Sequence, residues 1–189
     1  MEITVSANEI PHTVRIPSLS VDQGQIAILM GPSGSGKSVL LKTLSGVFTH
    51  KGVDIKGAAI VRDGEENSVQ LCDRTYIPET VERPVVFYVF QDPRSYLHPR
   101  LTLREYGTLL AHRLPTVQNV IELFENYIAD ANLSHRWGTP AGYLSGGEAQ
   151  RLMFAMMNVL RPRLVLADEP LSAQDRVHHE QLRGMLNDY

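Results

Sequence analysis

Two stretches of this sequence combine residue types suited to phosphate chemistry. In GPSGSGKS, Gly31 to Ser38, the residues Gly31, Pro32, Ser33, Gly34, Ser35, Gly36, Lys37 and Ser38 fit the pattern G-x-x-x-x-G-K-[ST]. Glycines let successive backbone N–H groups curl around phosphate oxygens, and a helix that follows adds its positive end. Lys37 would reach the β- and γ-phosphates, and the Ser38 hydroxyl would coordinate Mg²⁺. Far downstream, LVLADEP, Leu164 to Pro170, delivers Asp168 from the end of an apolar run to the magnesium shell of such a loop. Glu169 follows on what is expected to be extended backbone, so it would point differently from Asp168 and face an attacking water. Gln91 ends the run VVFYVF. Alone it would be an ordinary exposed amide, but beside these acids it could ligate Mg²⁺ or hold water without adding charge.

These groups need elements to hold them. Gln25 to Met30 reads as a strand running into the glycine loop, and Ser38 to Val47 as the helix leaving it. GAAIVRD, VVFYVF and PRLVLAD are further strand candidates. Apolar runs without alternation suit a parallel sheet covered on both faces. Val117, Val120, Ile121, Phe124, Ile128 and Ala131 recur at helical spacing, and a loop is expected from Arg136 to Gly142. The fold class read from this is α/β. A phosphate-loop NTPase core with a mainly parallel sheet, residues 1–91 and 146–189, carries an inserted α-helical lobe, residues 92–145. The stretch from Lys51 to Pro84 is polar, turn-rich and hard to assign to elements.

Bulk properties exclude several classes. At 189 residues and 43% hydrophobic content, the chain has material for one substantial core. A formal charge of -3 supplies no general attraction to nucleic acid. The single cysteine, Cys72, has no partner for an internal disulfide and suits a reducing compartment. The longest apolar runs are strand-sized, and the first residues, MEITVSANEI, lack the basic and apolar regions of a secretory leader. Any membrane role is therefore expected to come through a partner.

LSGGEAQR, Leu144 to Arg151, is a second glycine-bearing turn ahead of a helix. Ser145 and Glu148 form the S-x-x-E capping box, with the helix running on through Met157. A cap needs no ligand, yet Gly146 and Gly147 are poor first-turn residues by propensity. They make sense where a phosphate approaches the backbone closely. Because Gly31 to Ser38 already serves one nucleotide, the second turn would serve a nucleotide held by another copy.

The glycine loop, Gln91, LSGGEAQR, LVLADEP and SAQD, Ser172 to Asp175, occur in an order that resembles the ATP-binding cassette (ABC) ATPase subunits of membrane transporters. The resemblance spans nearly the whole chain. It implies ATP and Mg²⁺, the latter on Ser38, Gln91 and Asp168, and two cassettes, identical or not, closing head to tail around two ATP molecules. Ser145, Gly146, Gly147 and Glu148 would contact the partner's nucleotide, with Glu148 replacing the commoner glutamine. Gln91 would be the Q-loop residue, Glu169 the general base, and Ser172 to Asp175 the D-loop that communicates across the dimer. Implied partners are polytopic permease subunits and, in import systems, a solute-binding protein, with no direct nucleic-acid contact. The place implied is the cytoplasmic face of the membrane.

FQDPRSYLHPRLTLREY, with His98 where a family asparagine stands, is similar to the dipeptide, oligopeptide and nickel import subfamily. Two departures are visible. Only His12 occupies the segment where the family carries an adenine-stacking aromatic. The family's switch histidine would lie beyond residue 189, since His178 and His179 come too early and read as an exposed helical face. Slow hydrolysis is the expectation that follows. The rival reading is a regulatory or non-transport cassette, acting on DNA or the ribosome, but the coiled-coil insertion, zinc site or second cassette typical of those proteins is missing from the sequence.

Overall fold

The computed structural model describes residues 2–7, 10–16, 18–46, 53–63, 67–71 and 84–169. The chain divides into two compact units, Met1–Glu79 and Thr80–Tyr189. In the first, β1 (Glu2–Ala7) lies between β2 (Ile10–Arg15) and β3 (Val53–Lys56), antiparallel to both, with Ile3 opposite Val14 and Ile55. A separate antiparallel pair joins β4 (Ala59–Asp63) to β5 (Asn67–Leu71). Helix α1 (Lys37–Leu44) buries Leu40 beside Ile3, with Ile16, Leu29, Val39, Leu44 and Ile55 around them.

The second unit holds β6 (Val86–Val89), α2 (Leu103–Arg113), α3 (Val120–Asp130), α4 (Gly146–Leu160) and β7 (Leu164–Ala167). β6 and β7 pair in parallel, Val86 with Leu164 through Val89 with Ala167. Parallel neighbours require a long crossover. Here all three helices lie within it. Helix α2 starts at Thr102, which forms a reciprocal capping box with Glu105. Gly107 of α2 lies flush against Phe124 of α3, where an added Cβ would stand 3.1 Å from the ring. Phe124 also meets Trp137 at a ring separation of 6.0 Å. Helix α4 is buried along nearly its whole length, and Leu152, Phe154, Ala155 and Met157 are fully enclosed. It ends at Arg161, whose left-handed backbone (φ 45°) turns the chain into β7. The residues of 92–145 thus share one core with α4 and with Val89 of β6.

Several sequence expectations are realised. VVFYVF and PRLVLAD yield the parallel pair, the predicted loop helix is α1, and the periodic run is α3, with Val120, Phe124 and Ile128 buried. Ile121, one residue or about 100° around the helix from Val120, is instead exposed. Two expectations need correction. The strand in GAAIVRD pairs antiparallel with β5, because the three intervening residues are too few for the crossover that a parallel neighbour requires. Gln25 to Met30 takes no regular strand conformation, and Ile26, Ile28 and Met30 are exposed. A parallel-type strand is stable only between hydrogen-bonded neighbours, and among the described residues none is paired with this run. Cys72 lies outside the described residues.

Phe154 lies in the middle of α4 and has no exposed surface. Phe154→Ala is therefore expected to cost about 3–5 kcal/mol, measured as a lowered urea midpoint. A loss below about 1 kcal/mol would mean that α4 is not the centre of this core.

Candidate functional site

In the first unit the glycine loop runs from Gly31 into α1. Gly36 is the residue preceding the helix, with φ 92°, and a Cβ there would collide with Val14 Cγ2. Only glycine permits this left-handed entry against β2. Lys37 begins the helix and folds its side chain back over the loop. Its Nζ donates to the Gly31 carbonyl at 2.8 Å and to the Pro32 carbonyl at 2.9 Å. Gly31 to Ser35 are exposed, while Gly36, Lys37 and Ser38 are half-buried. The α1 N-terminus has no side-chain cap.

In the second unit the carboxyl ends of β6 and β7 form a cluster of polar groups. The Asp168 N–H donates to the Val89 carbonyl at 3.0 Å, extending the ladder by one rung. The Asp168 side chain is buried, and its Oδ2 accepts a 2.9 Å bond from the Tyr88 hydroxyl. Burial, and then that bond, push the Tyr88 phenol above its ordinary range, so Tyr88 remains a donor throughout neutral pH. Glu169 is exposed, and its Oε2 accepts a 2.8 Å bond from the Gln91 amide. The expected extended backbone at Glu169 is a further correction: its φ is 47°, in the left-handed region. A non-glycine residue held there stores about 1–3 kcal/mol of strain. Side-chain direction is therefore set by this bend rather than by strand alternation.

The sequence reading missed Tyr88. Its signal was present as the one hydroxyl-bearing residue within VVFYVF, since a buried tyrosine ordinarily finds a partner for its O–H.

At LSGGEAQR the predicted capping box is formed. Glu148 N–H donates to Ser145 Oγ at 3.2 Å, and Ser145 N–H donates to Glu148 Oε2 at 2.7 Å. The other carboxylate oxygen accepts from Arg136 Nε at 2.8 Å, with His135 Nε2 3.8 Å away. Burial alone would raise the Glu148 carboxyl, but the Ser145 N–H and Arg136 outweigh it and hold the group at about 2. Glu148, expected among the contacts to a partner's nucleotide, thus has both oxygens engaged within the second unit. Ser145 is exposed, and Gly146 and Gly147 are half-buried. A Cβ at Gly146 would meet nothing within 4 Å, so internal packing does not require glycine there.

The polar contacts therefore join Gln91 with Glu169, Asp168 with Tyr88, and Ser145 with Glu148 and Arg136. Ser172 and Asp175, like His178 and His179, lie outside the described residues.

The family model described as ABC transporter matches residues 14–172. The chain belongs to the ABC transporter family. It is an ATPase cassette of that family, as the order of motifs implied. It is 34% identical over 184 residues to the phosphate import ATP-binding protein PstB of Tropheryma whipplei (strain Twist), covering 93% of this chain and 67% of that protein. It is 32% identical to the glutamine transport ATP-binding protein GlnQ of Escherichia coli (strain K12), covering 88% and 66%. To the oligopeptide transport ATP-binding protein AmiE of Streptococcus pneumoniae serotype 4 it is 29% identical, covering 93% and 51%. The cassette thus spans between half and two thirds of the length of these relatives. Among solved structures it is similar to an ATP-binding cassette dimer in a post-hydrolysis state bound to ADP and Pi. The TM-score is 0.71 at 23% identity over 98% of this chain and 81% of that one, a likeness of fold. Among the described residues no helix is long and apolar enough to cross a membrane.

The Glu148 geometry sets an acid dependence. Its carboxyl titrates lower in the folded cassette than its ordinary value of 4.5, so its contribution is complete above about pH 4.5. That stability is lost as pH falls towards about 2. Urea unfolding between pH 6 and pH 3 is expected to lose more stability in the parent than in Glu148→Gln. Equal slopes would mean that the carboxylate contributes nothing through Ser145 and Arg136.

Proposed function

We propose that this cassette binds MgATP and hydrolyses it to drive import of a solute through separate polytopic permease subunits, acting with a second cassette in a head-to-tail dimer. Residues 1–91 and 146–189 would form the ATP-binding core, 92–145 the lobe, and the cytoplasmic face of the membrane the place of action. The observation that carries the reading is the pairing at the ends of β6 and β7. One carboxylate is buried against a phenol, and its neighbour is exposed and held by an amide. Two adjacent acids in such different surroundings suit two different tasks. The import and transport names of the relatives favour the direction.

In the proposed reaction the loop amides of Gly31 to Ser38 and the Lys37 ammonium bind the triphosphate. Lys37 Nζ already sits among loop oxygens, and phosphate oxygens offer stronger, charged acceptors. The Ser38 hydroxyl, the Asp168 carboxylate and the Gln91 amide are all oxygen donors, the set that Mg²⁺ prefers. When bound, Mg²⁺ would neutralise charge on the β- and γ-phosphates. Glu169 takes the proton of the attacking water as its oxygen bonds to the γ-phosphorus. The bond from that phosphorus to the bridging oxygen breaks, and ADP and inorganic phosphate leave. The Gln91 amide keeps the Glu169 carboxylate aimed, and a base held in position contributes roughly 10²–10⁴-fold in rate. From the second cassette, Ser145 with Gly146 and Gly147 would meet the γ-phosphate, and the D-loop residues Ser172 and Asp175 would relay closure. A solute-binding protein would complete the importer.

Lys37→Ala is expected to weaken MgATP binding roughly tenfold to a hundredfold, the worth of a charge-assisted contact. Isothermal titration measures it, and unchanged affinity removes the loop assignment. Glu169→Gln is expected to retain ATP binding while steady-state phosphate release drops by roughly 10²-fold or more. Parent-like turnover at saturating ATP would exclude Glu169 as the base.

A further inference from the structure

Tyr143 is 77% exposed, although it stands two residues before Ser145 in a firmly built turn. Its neighbours Ala141 and Leu144 are each 1% exposed. The turn Ala141–Tyr143 is fastened by the Ala141 N–H to the Leu101 carbonyl at 2.8 Å and by the Gly142 N–H to the Pro99 carbonyl at 2.9 Å. A Cβ at Gly142 would stand 2.9 Å from the Pro99 carbonyl oxygen, so glycine is what allows this close seating. The ring is therefore presented to solvent by fixed backbone on both sides rather than by slack chain. Leaving so large an apolar face in water forgoes its burial energy unless something covers it.

The covering group is suggested by what the opposite half of a composite site would lack. Residues 1–47, which include Gly31 to Ser38, contain no Phe, Tyr or Trp. The described residues 53–63 and 67–71 contain none either. A nucleotide bound by that loop has its phosphates provided for, but its base has no aromatic surface from these segments.

We infer that Tyr143 is the base platform for the nucleotide bound by the other cassette, stacking on its purine while Ser145 and Gly146 of the same turn meet its phosphates. This rests on the head-to-tail dimer proposed above. One rigid turn then reads both ends of the substrate, and ATP is recognised as a flat base joined to a triphosphate. Stacking on an aromatic ring is worth about 1–3 kcal/mol per base and tolerates any base, because every base has a π-face. The platform therefore selects nucleoside triphosphates over bare polyphosphate, with little preference between adenine and guanine.

The test uses the full chain carrying Glu169→Gln, expected above to retain ATP, and follows association by analytical ultracentrifugation as ATP is raised. Adding Tyr143→Ala is expected to raise the ATP concentration for half-association roughly tenfold. Tyr143→Phe and Tyr143→Trp keep a ring and are expected to stay near the parent. In parallel, 2-aminopurine riboside triphosphate reports stacking directly. Its fluorescence should be quenched on association of the parent and of Tyr143→Phe, and much less with Tyr143→Ala. An unshifted midpoint in Tyr143→Ala overturns the platform while leaving the dimer standing. A shifted midpoint with quenching retained also overturns it, since Tyr143 would then serve protein contact alone. If the parent binds ATP by titration but never associates, the head-to-tail reading falls and the platform with it.

Discussion

Two four-residue strands, Val86–Val89 and Leu164–Ala167, lie side by side in parallel, and the Asp168 N–H closes their ladder on the Val89 carbonyl. Parallel pairing brings both carboxyl ends to one edge. Tyr88 of β6 and Gln91 just past its end therefore meet Asp168 and Glu169, which follow β7, across 80 and 78 positions of sequence. Strands this short contribute few hydrogen bonds of their own. What holds them is the crossover, in which α2, α3 and α4 share one apolar core with Val89. The stability of these three helices and the geometry of the acidic pair are thus consequences of the same packing.

Three carboxylates of the second unit show how surroundings divide labour among identical groups. Glu148 is buried, yet hydrogen bonds from Ser145 and Arg136 keep it ionised far below neutral pH, so it serves as a structural anion at the start of α4. Asp168 is also buried and shares a hydrogen bond with a phenol that burial keeps protonated. Glu169 alone is exposed, on a left-handed bend. An amide is a fitting partner for it, because Gln91 orients the carboxylate without neutralising its charge. The strain at Glu169 is a local cost accepted by the fold, as is common where a side chain must be aimed.

Much of this was legible in the sequence because the signals are local. G-x-x-x-x-G-K-S specifies a loop and a helix start through glycine φ freedom and the donors of α1. S-x-x-E specifies the α4 cap, since both partners lie within one turn. Helical spacing located α3, and the apolar runs located β6 and β7. Pairing was not legible to the same degree. GAAIVRD reads as apolar strand, but its partner is the polar segment Asn67–Leu71. Gln25 to Met30 has a strand's composition without a strand's neighbours.

The sequence by itself determined the chemistry on offer: which loops carry glycine-rich backbone ahead of a helix, which residues bring acids and an amide, and which family the order of motifs belongs to. It did so because residue type and short spacing dictate local conformation and functional groups. Only the tertiary structure decided how those groups are used. Gln91 turned to Glu169, Tyr88 closed on Asp168, Arg136 took the free oxygen of Glu148, and Tyr143 was left facing solvent on a fixed turn. Each of these except the last is a contact between residues far apart in the chain or on different elements. Such contacts follow from how strands pair and helices pack, and no local pattern encodes them.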